Sequence, residues 1–290
     1  LSNPEVQDFV FETIHRLLTN YPGIAYIKWD ANHTMTNFGS SYLSDSDQKQ
    51  IQIAYHRGIR VVLERLRKVH PDILMQVCAS GGGRVNYGYL PYFHEFWPSD
   101  NTDPVSRVFI QWGTSHFFPA IAMASHVSAS PNHQTRRETP LKFRFDLAMT
   151  GRLGMEMMAS DFTPRENTFA IKAIENYKNI RSIVQFGDLY RILSPYETGI
   201  ASLIYVNESK EEAVYFAFNL EKNLRQEYPS LKFEGLAPEK MYSLEEINCD
   251  RSPKFKPEKD VYSGEVLMKI GIPANMSKVY ESMVIKITEQ

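Results

Sequence analysis

Two short segments of the sequence place a tryptophan close before an aspartate, each after an apolar run. Trp29 directly precedes Asp30, and Trp97 lies three residues before Asp100. Glycoside hydrolysis needs such a carboxyl pair, because one acid protonates the leaving oxygen while one carboxylate meets the positive charge developing on the sugar. Aromatic rings suit the same substrates, since a ring face packs against pyranose C–H bonds. Spacing alone does not distinguish a catalytic role of the two aspartates from helix capping or strand-end hydrogen bonding.

A third segment, Cys78 to Arg84, contains the run Gly81-Gly82-Gly83. It lacks the Gly-Lys-Ser/Thr ending of a phosphate-binding loop and the spacing of a dinucleotide fingerprint. The run predicts either a close approach of the main chain to a ligand or a tight turn. No cysteine-enzyme signature surrounds Cys78, so we interpret it as a small buried or site-lining thiol. No zinc spacing is matched by the histidines His116, His126 and His133, and no metal site is predicted.

Composition excludes several classes of protein. The chain carries 32 Lys+Arg against 34 Asp+Glu, a net charge of −2, which argues against a nucleic-acid-binding surface. No apolar run approaches the roughly 18 residues of a membrane-spanning helix. With 43% hydrophobic residues and only two cysteines, the sequence predicts a folded core without a disulfide framework. These features favour chemistry on a small, uncharged substrate.

The first two thirds of the chain alternates helices with short apolar strands. A helix starting at Pro4 can be capped by Ser2 or Asn3. Five strand-then-helix units indicate a parallel α/β fold, in which the carboxyl ends of the strands hold the active site. The strands are predicted at about 24–27, 73–77, 95–98, 120–127 and 153–158, and the later helices near 104–117, 139–150 and 164–185.

The pattern changes near Gly187 to short β-rich segments separated by Gly, Pro and Asn. This pattern is typical of a small antiparallel sheet or sandwich. We therefore predict two domains, residues 1–187 and residues 188–290. The predicted strands of the second domain are 189–194, 200–206, 212–218, 241–246, 262–270 and 281–288.

Four segments stand in the order and at the separations found in a known family. They are Lys28-Trp29-Asp30-Ala31-Asn32, Cys78-Ala79-Ser80-Gly81-Gly82-Gly83-Arg84, Trp97-Pro98-Ser99-Asp100-Asn101-Thr102-Asp103, and a stretch from Arg107 through Ile110-Gln111-Trp112-Gly113 to Pro131-Asn132-His133-Gln134. They resemble glycoside hydrolase family 36, the microbial α-galactosidases, over about residues 1–185.

The resemblance implies a TIM (β/α)8-type barrel and a retaining double displacement on terminal, non-reducing α-galactosides of the melibiose or raffinose type. Asp30 would be the nucleophile and Asp100 the acid/base. The resemblance implies that the protein needs no metal or organic cofactor. Its implied partner is a small carbohydrate, with no nucleic acid or membrane, and a homo-oligomer is possible. The implied substrate-binding residues are Lys28, Trp29, Asn32, Cys78, Gly81, Arg84, Trp97 and Ser99.

The chain also departs from the family pattern. His33 replaces a common arginine, and the form of the Cys78–Arg84 segment bears on whether a 2-hydroxyl or an N-acetyl group fits. An α-N-acetylgalactosaminidase and a non-catalytic carbohydrate-binding fragment therefore stay as alternatives. Family members carry a β-domain and three barrel strands ahead of the Lys-Trp-Asp strand. We accordingly expect the fourth to eighth βα units and a C-terminal β-sandwich domain here, with poor hydrolysis by this chain alone.

Overall fold

The computed structural model describes residues 1–31, 38–221, 229–250, 253, 255–273 and 276–290. They form two units, Leu1–Trp97 and Pro98–Gln290. In these ranges no helix has both the length and the apolar character needed to cross a membrane.

The first unit is built on three parallel strands in the order β1-β2-β3. Helix α1 begins where predicted, because the Asn3 side chain accepts a hydrogen bond from the Glu5 amide and proline occupies its first turn. Helix α2 connects β1 to β2 and packs against α1. The elements are α1 (Pro4–Asn20), β1 (Tyr26–Asp30), α2 (Ile51–Val69), β2 (Leu74–Cys78) and β3 (Glu95–Phe96).

The prediction of a helix after every strand is wrong for β2. Residues 79–94 form turns, because glycines and Pro91 disfavour a continuous helix there. The segment is held from outside by Arg67 of α2, which donates to the carbonyls of Tyr92 and Ile73 at 2.6 Å each. Arg67 thus fixes the end of the segment, while turn hydrogen bonds such as that from the Phe93 amide to the Tyr89 carbonyl hold its interior.

The second unit begins with alternating helices and strands. Its strands β4 and β5 pair in parallel, with Ala124 opposite Arg152. The predicted strand at 120–127 begins only at Ala124, since Ala120–Ala122 form a 3-10 turn. The elements are α3 (Pro104–Thr114), β4 (Ala124–Ser128), α4 (Leu141–Ala148), β5 (Arg152–Glu156) and α5 (Pro164–Phe186).

An antiparallel sheet completes the second unit, as predicted, and in the described ranges its order is β10-β9-β11-β8-β7-β6. The prediction of a strand over 262–270 is wrong beyond Ser263, whose side chain accepts from the Val266 amide and starts a short helix. A short apolar run fits either structure by periodicity alone. The elements are β6 (Asp188–Leu193), β7 (Ile200–Val206), β8 (Glu212–Asn219), β9 (Met241–Ile247), β10 (Tyr262–Ser263), α6 (Gly264–Lys269) and β11 (Ser282–Glu289).

Both faces of this sheet are buried, which explains the nearly unbroken apolar sequence of its central strands β7 and β8. One face, including Leu203 and Phe216, packs against α3, α4 and α5. The opposite face, including Ile204 and Tyr215, is covered by α6 and by short segments such as the bridge between Leu231 and Ile272.

Candidate active site

Strands β1 and β2 end side by side in the first unit. Asp30 lies opposite Cys78 in the parallel register, and the Ala31 amide donates to the Cys78 carbonyl at 3.2 Å. The Asp30 residue is exposed, whereas Cys78 is 1% exposed. The register therefore brings the predicted nucleophile and the predicted site-lining thiol to the same sheet edge.

The Cys78 thiol stays neutral and faces the Asp30 carboxylate. Burial raises the pKa of Cys78, and the charge of Asp30 together with a hydrogen bond to it raises that pKa further. An amide hydrogen bond from Gly81 and the charge of Lys28 each lower it, and the net shift is upward because burial is the largest cause. A thiol that keeps its proton can donate to a carboxylate, so Cys78 restrains Asp30 without repelling it.

A tight turn carries the Gly81 amide to the thiol. Gly81 is buried with φ 74°, a left-handed conformation that glycine adopts without strain, and Ser80 before it has φ 46°. The turn is closed by the Ala79 amide donating to the Gly81 carbonyl and by the Gly83 amide donating to the Ala79 carbonyl, both at 3.1 Å. The glycine run therefore forms a tight turn, which was one of its two predicted roles; the other, a close approach to a ligand, stays a prediction.

Arg84 holds the main chain just after Asp30. Its guanidinium donates to the Ala31 carbonyl at 3.3 Å and to the Tyr55 hydroxyl at 2.9 Å. Tyr55 belongs to α2 and was not anticipated from the sequence. Asn32 and His33, which follow in the chain, lie outside the described residues.

The two tryptophans near the carboxylates have different surroundings. The Lys28 ammonium lies 5.3 Å from the centroid of the buried Trp97 ring, and Lys28 shares a face of β1 with Asp30. Trp29 lies on the opposite face, 6.3 Å from Phe93 between ring centroids and against the core between α1 and α2. The first unit therefore groups Lys28, Asp30, Cys78 and Gly81, with Trp29 packed behind the strand.

Ser99 and Asp100 lie in the second unit, in the loop before α3. The exposed Asp100 is followed by a turn in which the Ser99 hydroxyl accepts from the Asn101 amide at 3.1 Å. The Asn101 side chain accepts from the Asp103 amide at 3.0 Å. This turn leads directly into α3, so the helix start orients the segment that carries Asp100.

The carboxylate of Asp103 is fully buried and joins this loop to the loop after β4. It caps α3 by accepting from the Ser106 amide at 2.9 Å, and it accepts from the Thr135 hydroxyl at 3.0 Å. Arg137 also donates to it in an ion pair. Asn132 donates to the Thr102 hydroxyl at 3.2 Å, which adds a second link between the same two loops.

We expect Asp103→Ala to lower the free energy of unfolding by about 3 kcal/mol, because it removes a helix cap and leaves polar partners unpaired. Urea denaturation measures this loss. Glu138→Ala is the matched control, since Glu138 is an exposed carboxylate of the same second loop. Equal unfolding midpoints for the two variants would show that the buried network adds no stability.

Two charged residues of the second unit were given no role by the sequence analysis, although Arg107 begins one of its family-like segments. Arg107 is buried in α3, and Glu156 is an exposed carboxylate at the end of β5. Both Glu156 and Asp100 act electrostatically on Arg107. The sequence pattern could have indicated Glu156, because this carboxylate ends an apolar strand just as Asp30 does.

Two family models match the chain. One, described as Melibiase, matches residues 1–187, and another, described as glycosyl hydrolase family 36 C-terminal domain, matches residues 200–287. These matches define the class of the chain as a glycoside hydrolase family. The chain belongs to glycoside hydrolase family 36, which confirms the resemblance seen in its motifs.

Several curated relatives are named α-galactosidases. The chain is 38% identical to α-galactosidase AgaA of Geobacillus stearothermophilus over 93% of this chain and 35% of that protein. It is 35% identical to α-galactosidase C of Emericella nidulans over 100% of this chain and 36% of that protein. The chain thus spans about a third of the length of these relatives.

Solved structures of the same family are also similar. A crystal structure of an AgaA variant from Geobacillus stearothermophilus in complex with raffinose has a TM-score of 0.92 and 35% identity, covering 100% of this chain and 39% of that one. The α-galactosidase from Lactobacillus brevis has a TM-score of 0.90 and 31% identity, covering 100% and 38%.

Proposed function

We propose that this protein hydrolyses terminal, non-reducing α-galactosides of the melibiose or raffinose type, with retention of anomeric configuration. The observation that carries the proposal is the exposed Asp30 carboxylate at the end of β1, restrained by a neutral thiol and sharing a strand face with Lys28, in a family 36 chain. An accessible carboxylate with one fixed oxygen suits attack on an anomeric carbon.

The substrate class is supported by the relatives. The curated proteins are named α-galactosidases, and AgaA variants were solved in complex with raffinose and with stachyose. Both ligands are oligosaccharides that end in an α-galactosyl unit. We extend this substrate class to the present chain on the strength of its similarity to those proteins over nearly its full length.

The proposed reaction has two steps. First, an Asp30 oxygen attacks the anomeric carbon while Asp100 gives its proton to the glycosidic oxygen, so that the galactose–oxygen bond breaks and a galactosyl ester forms on Asp30. Second, the Asp100 carboxylate takes a proton from water as that water attacks the same carbon and releases Asp30. Two inversions leave the galactose with its original α configuration.

The remaining roles follow from the same proposal. Lys28, Cys78 and Gly81 contact the sugar ring, and Trp97 with Ser99 forms the wall beside Asp100. Trp29, Asn32 and Arg84 complete the proposed set, with Trp29 and Arg84 supporting β1 and its following loop through their contacts with Phe93 and Ala31.

We further propose that β1 to β5 correspond to the fourth to eighth strands of a TIM barrel. Residues 1–187 would then be the barrel portion, and residues 188–290 a C-terminal β-sandwich domain. Support comes from the parallel pairing of β1 with β2 and β3 and of β4 with β5, with helices between most of these strands. The Melibiase match over residues 1–187 agrees with this division.

We expect the protein, as its gene encodes it, to release nitrophenol from p-nitrophenyl α-galactoside at least about 100-fold faster than from the matching N-acetyl-α-galactosaminide. Absorbance reports the rates, and proton NMR of early raffinose hydrolysis identifies the first anomer. The α-anomer should appear first. A first product in the β configuration would exclude double displacement, and a preference for the N-acetyl substrate would exclude the galactoside assignment.

A further inference from the structure

We propose that Arg107 is the positioning residue of the acid/base Asp100, holding the main chain beside it. This role rests on the proposed function, and it assigns a purpose to a buried cation in α3.

Arg107 fixes the segment that carries Asp100. Its side chain is 3% exposed, and the guanidinium donates to the Ser99 carbonyl at 3.3 Å and to the Ala124 carbonyl at 3.1 Å. Ser99 is joined to Asp100 by a peptide bond, and Ala124 is the first residue of β4. One planar group thus ties the Asp100 loop to the neighbouring strand.

The charges that face Arg107 come from two other elements. Asp100 lies in the loop before α3, and Glu156 ends β5. Burial lowers the pKa of Arg107 to about 10, while Glu156 and Asp100 each act to raise it. Arg107 is therefore still cationic near neutral pH.

A buried arginine can also serve only to bind main-chain carbonyls, and Arg144 of α4 is such a case. Arg144 is 5% exposed and donates to the Ser128 carbonyl at the end of β4 at 2.6 Å. Burial lowers the pKa of Arg144 too, but the carboxylate that opposes this effect is Glu166. Arg107 and Arg144 therefore share burial and carbonyl binding and differ in the carboxylates they face, which makes Arg144 a matched control.

The chemistry of Asp100 makes this difference measurable. A sugar leaving group departs as an alkoxide unless it receives a proton, whereas an activated phenol departs without one. A fixed loop keeps the proton donor in reach of the glycosidic oxygen. Loss of Arg107 should therefore slow the cleavage of raffinose far more than the cleavage of an activated aryl galactoside.

The test compares wild type, Arg107→Met, Arg107→Lys and Arg144→Met in the protein as its gene encodes it. For each, kcat/KM is measured from pH 4 to pH 9 with raffinose and with 2-chloro-4-nitrophenyl α-galactoside, and urea denaturation gives the stability. We expect Arg107→Met to lose about 10- to 100-fold on raffinose and less than about threefold on the aryl substrate. Arg144→Met should change both substrates by the same factor.

The lysine variant supplies the second readout. Arg107→Lys keeps the charge but not the forked geometry that binds two carbonyls, so its rate on raffinose should fall more than its rate on the aryl substrate.

Equal losses on both substrates in Arg107→Met, matching Arg144→Met, would overturn the positioning role while leaving the proposed function intact. Should Arg107→Met fail to fold, Arg107→Lys decides, because equal losses on both substrates in that variant would overturn the role as well. A wild-type protein that cleaves neither galactoside would instead refute the proposed function.

Discussion

Asp30→Ala is expected to lower kcat for p-nitrophenyl α-galactoside by at least about 1,000-fold, because it removes the carboxylate proposed to form the galactosyl ester. Azide should restore part of the rate by entering the space of the missing carboxylate. Its product should be β-galactosyl azide, the result of a single inversion. Proton NMR of the isolated product measures the configuration.

Asp72→Ala provides the control for this experiment. Asp72 is an exposed aspartate of the same unit, placed just before β2 and so away from the strand end that carries Asp30. Its substitution should change kcat by less than about twofold. An Asp30→Ala variant that retains wild-type turnover would refute the nucleophile assignment, and an α-configured azide product would exchange the roles of Asp30 and Asp100.

The loss of activity in Asp100→Ala should depend on the leaving group of the substrate. We expect at least a roughly 1,000-fold loss of kcat/KM on raffinose, since an alkoxide leaving group needs the proton of Asp100. With 2-chloro-4-nitrophenyl α-galactoside the first step should persist, so that the galactosyl ester accumulates and kcat and KM fall together. Azide, which needs no base, should then speed turnover and give α-galactosyl azide.

The control for Asp100→Ala is Glu175→Ala, an exposed carboxylate on α5 of the same unit. It should leave the kinetics on both substrates within about twofold of wild type. Identical losses on raffinose and on the aryl galactoside in Asp100→Ala would contradict an acid/base role, because binding or folding defects do not discriminate by leaving group.

Local features of the fold were predictable because short-range chemistry determines them. The start of α1 follows from Asn3 and Pro4, which supply a cap and a preset backbone angle. The antiparallel strands β7 and β8 were predicted at 200–206 and 212–218 and lie at Ile200–Val206 and Glu212–Asn219, since long apolar runs bounded by turns have few other structures available.

The wrong predictions concern segments whose local sequence fits both helix and strand, or whose backbone is bound by a side chain far away in the sequence. The apolar run that starts at Gly264 fits strand and helix equally by periodicity, and the cap from Ser263 decides for the helix α6. The turns of residues 79–94 are held by Arg67, whose position depends on the packing of α2. The sequence of residues 79–94 contains no pattern that predicts hydrogen bonds from Arg67.

By itself, the sequence determined the family, the strands that end in polar residues, and the candidate carboxylates Asp30 and Asp100. Only the tertiary structure decided that Cys78 faces Asp30, that Trp29 packs behind β1, and that Arg107 lies buried beside the Asp100 loop. The reason is physical: composition and periodicity act over a few neighbouring residues, whereas these contacts depend on inter-strand register and helix packing between segments far apart in the chain.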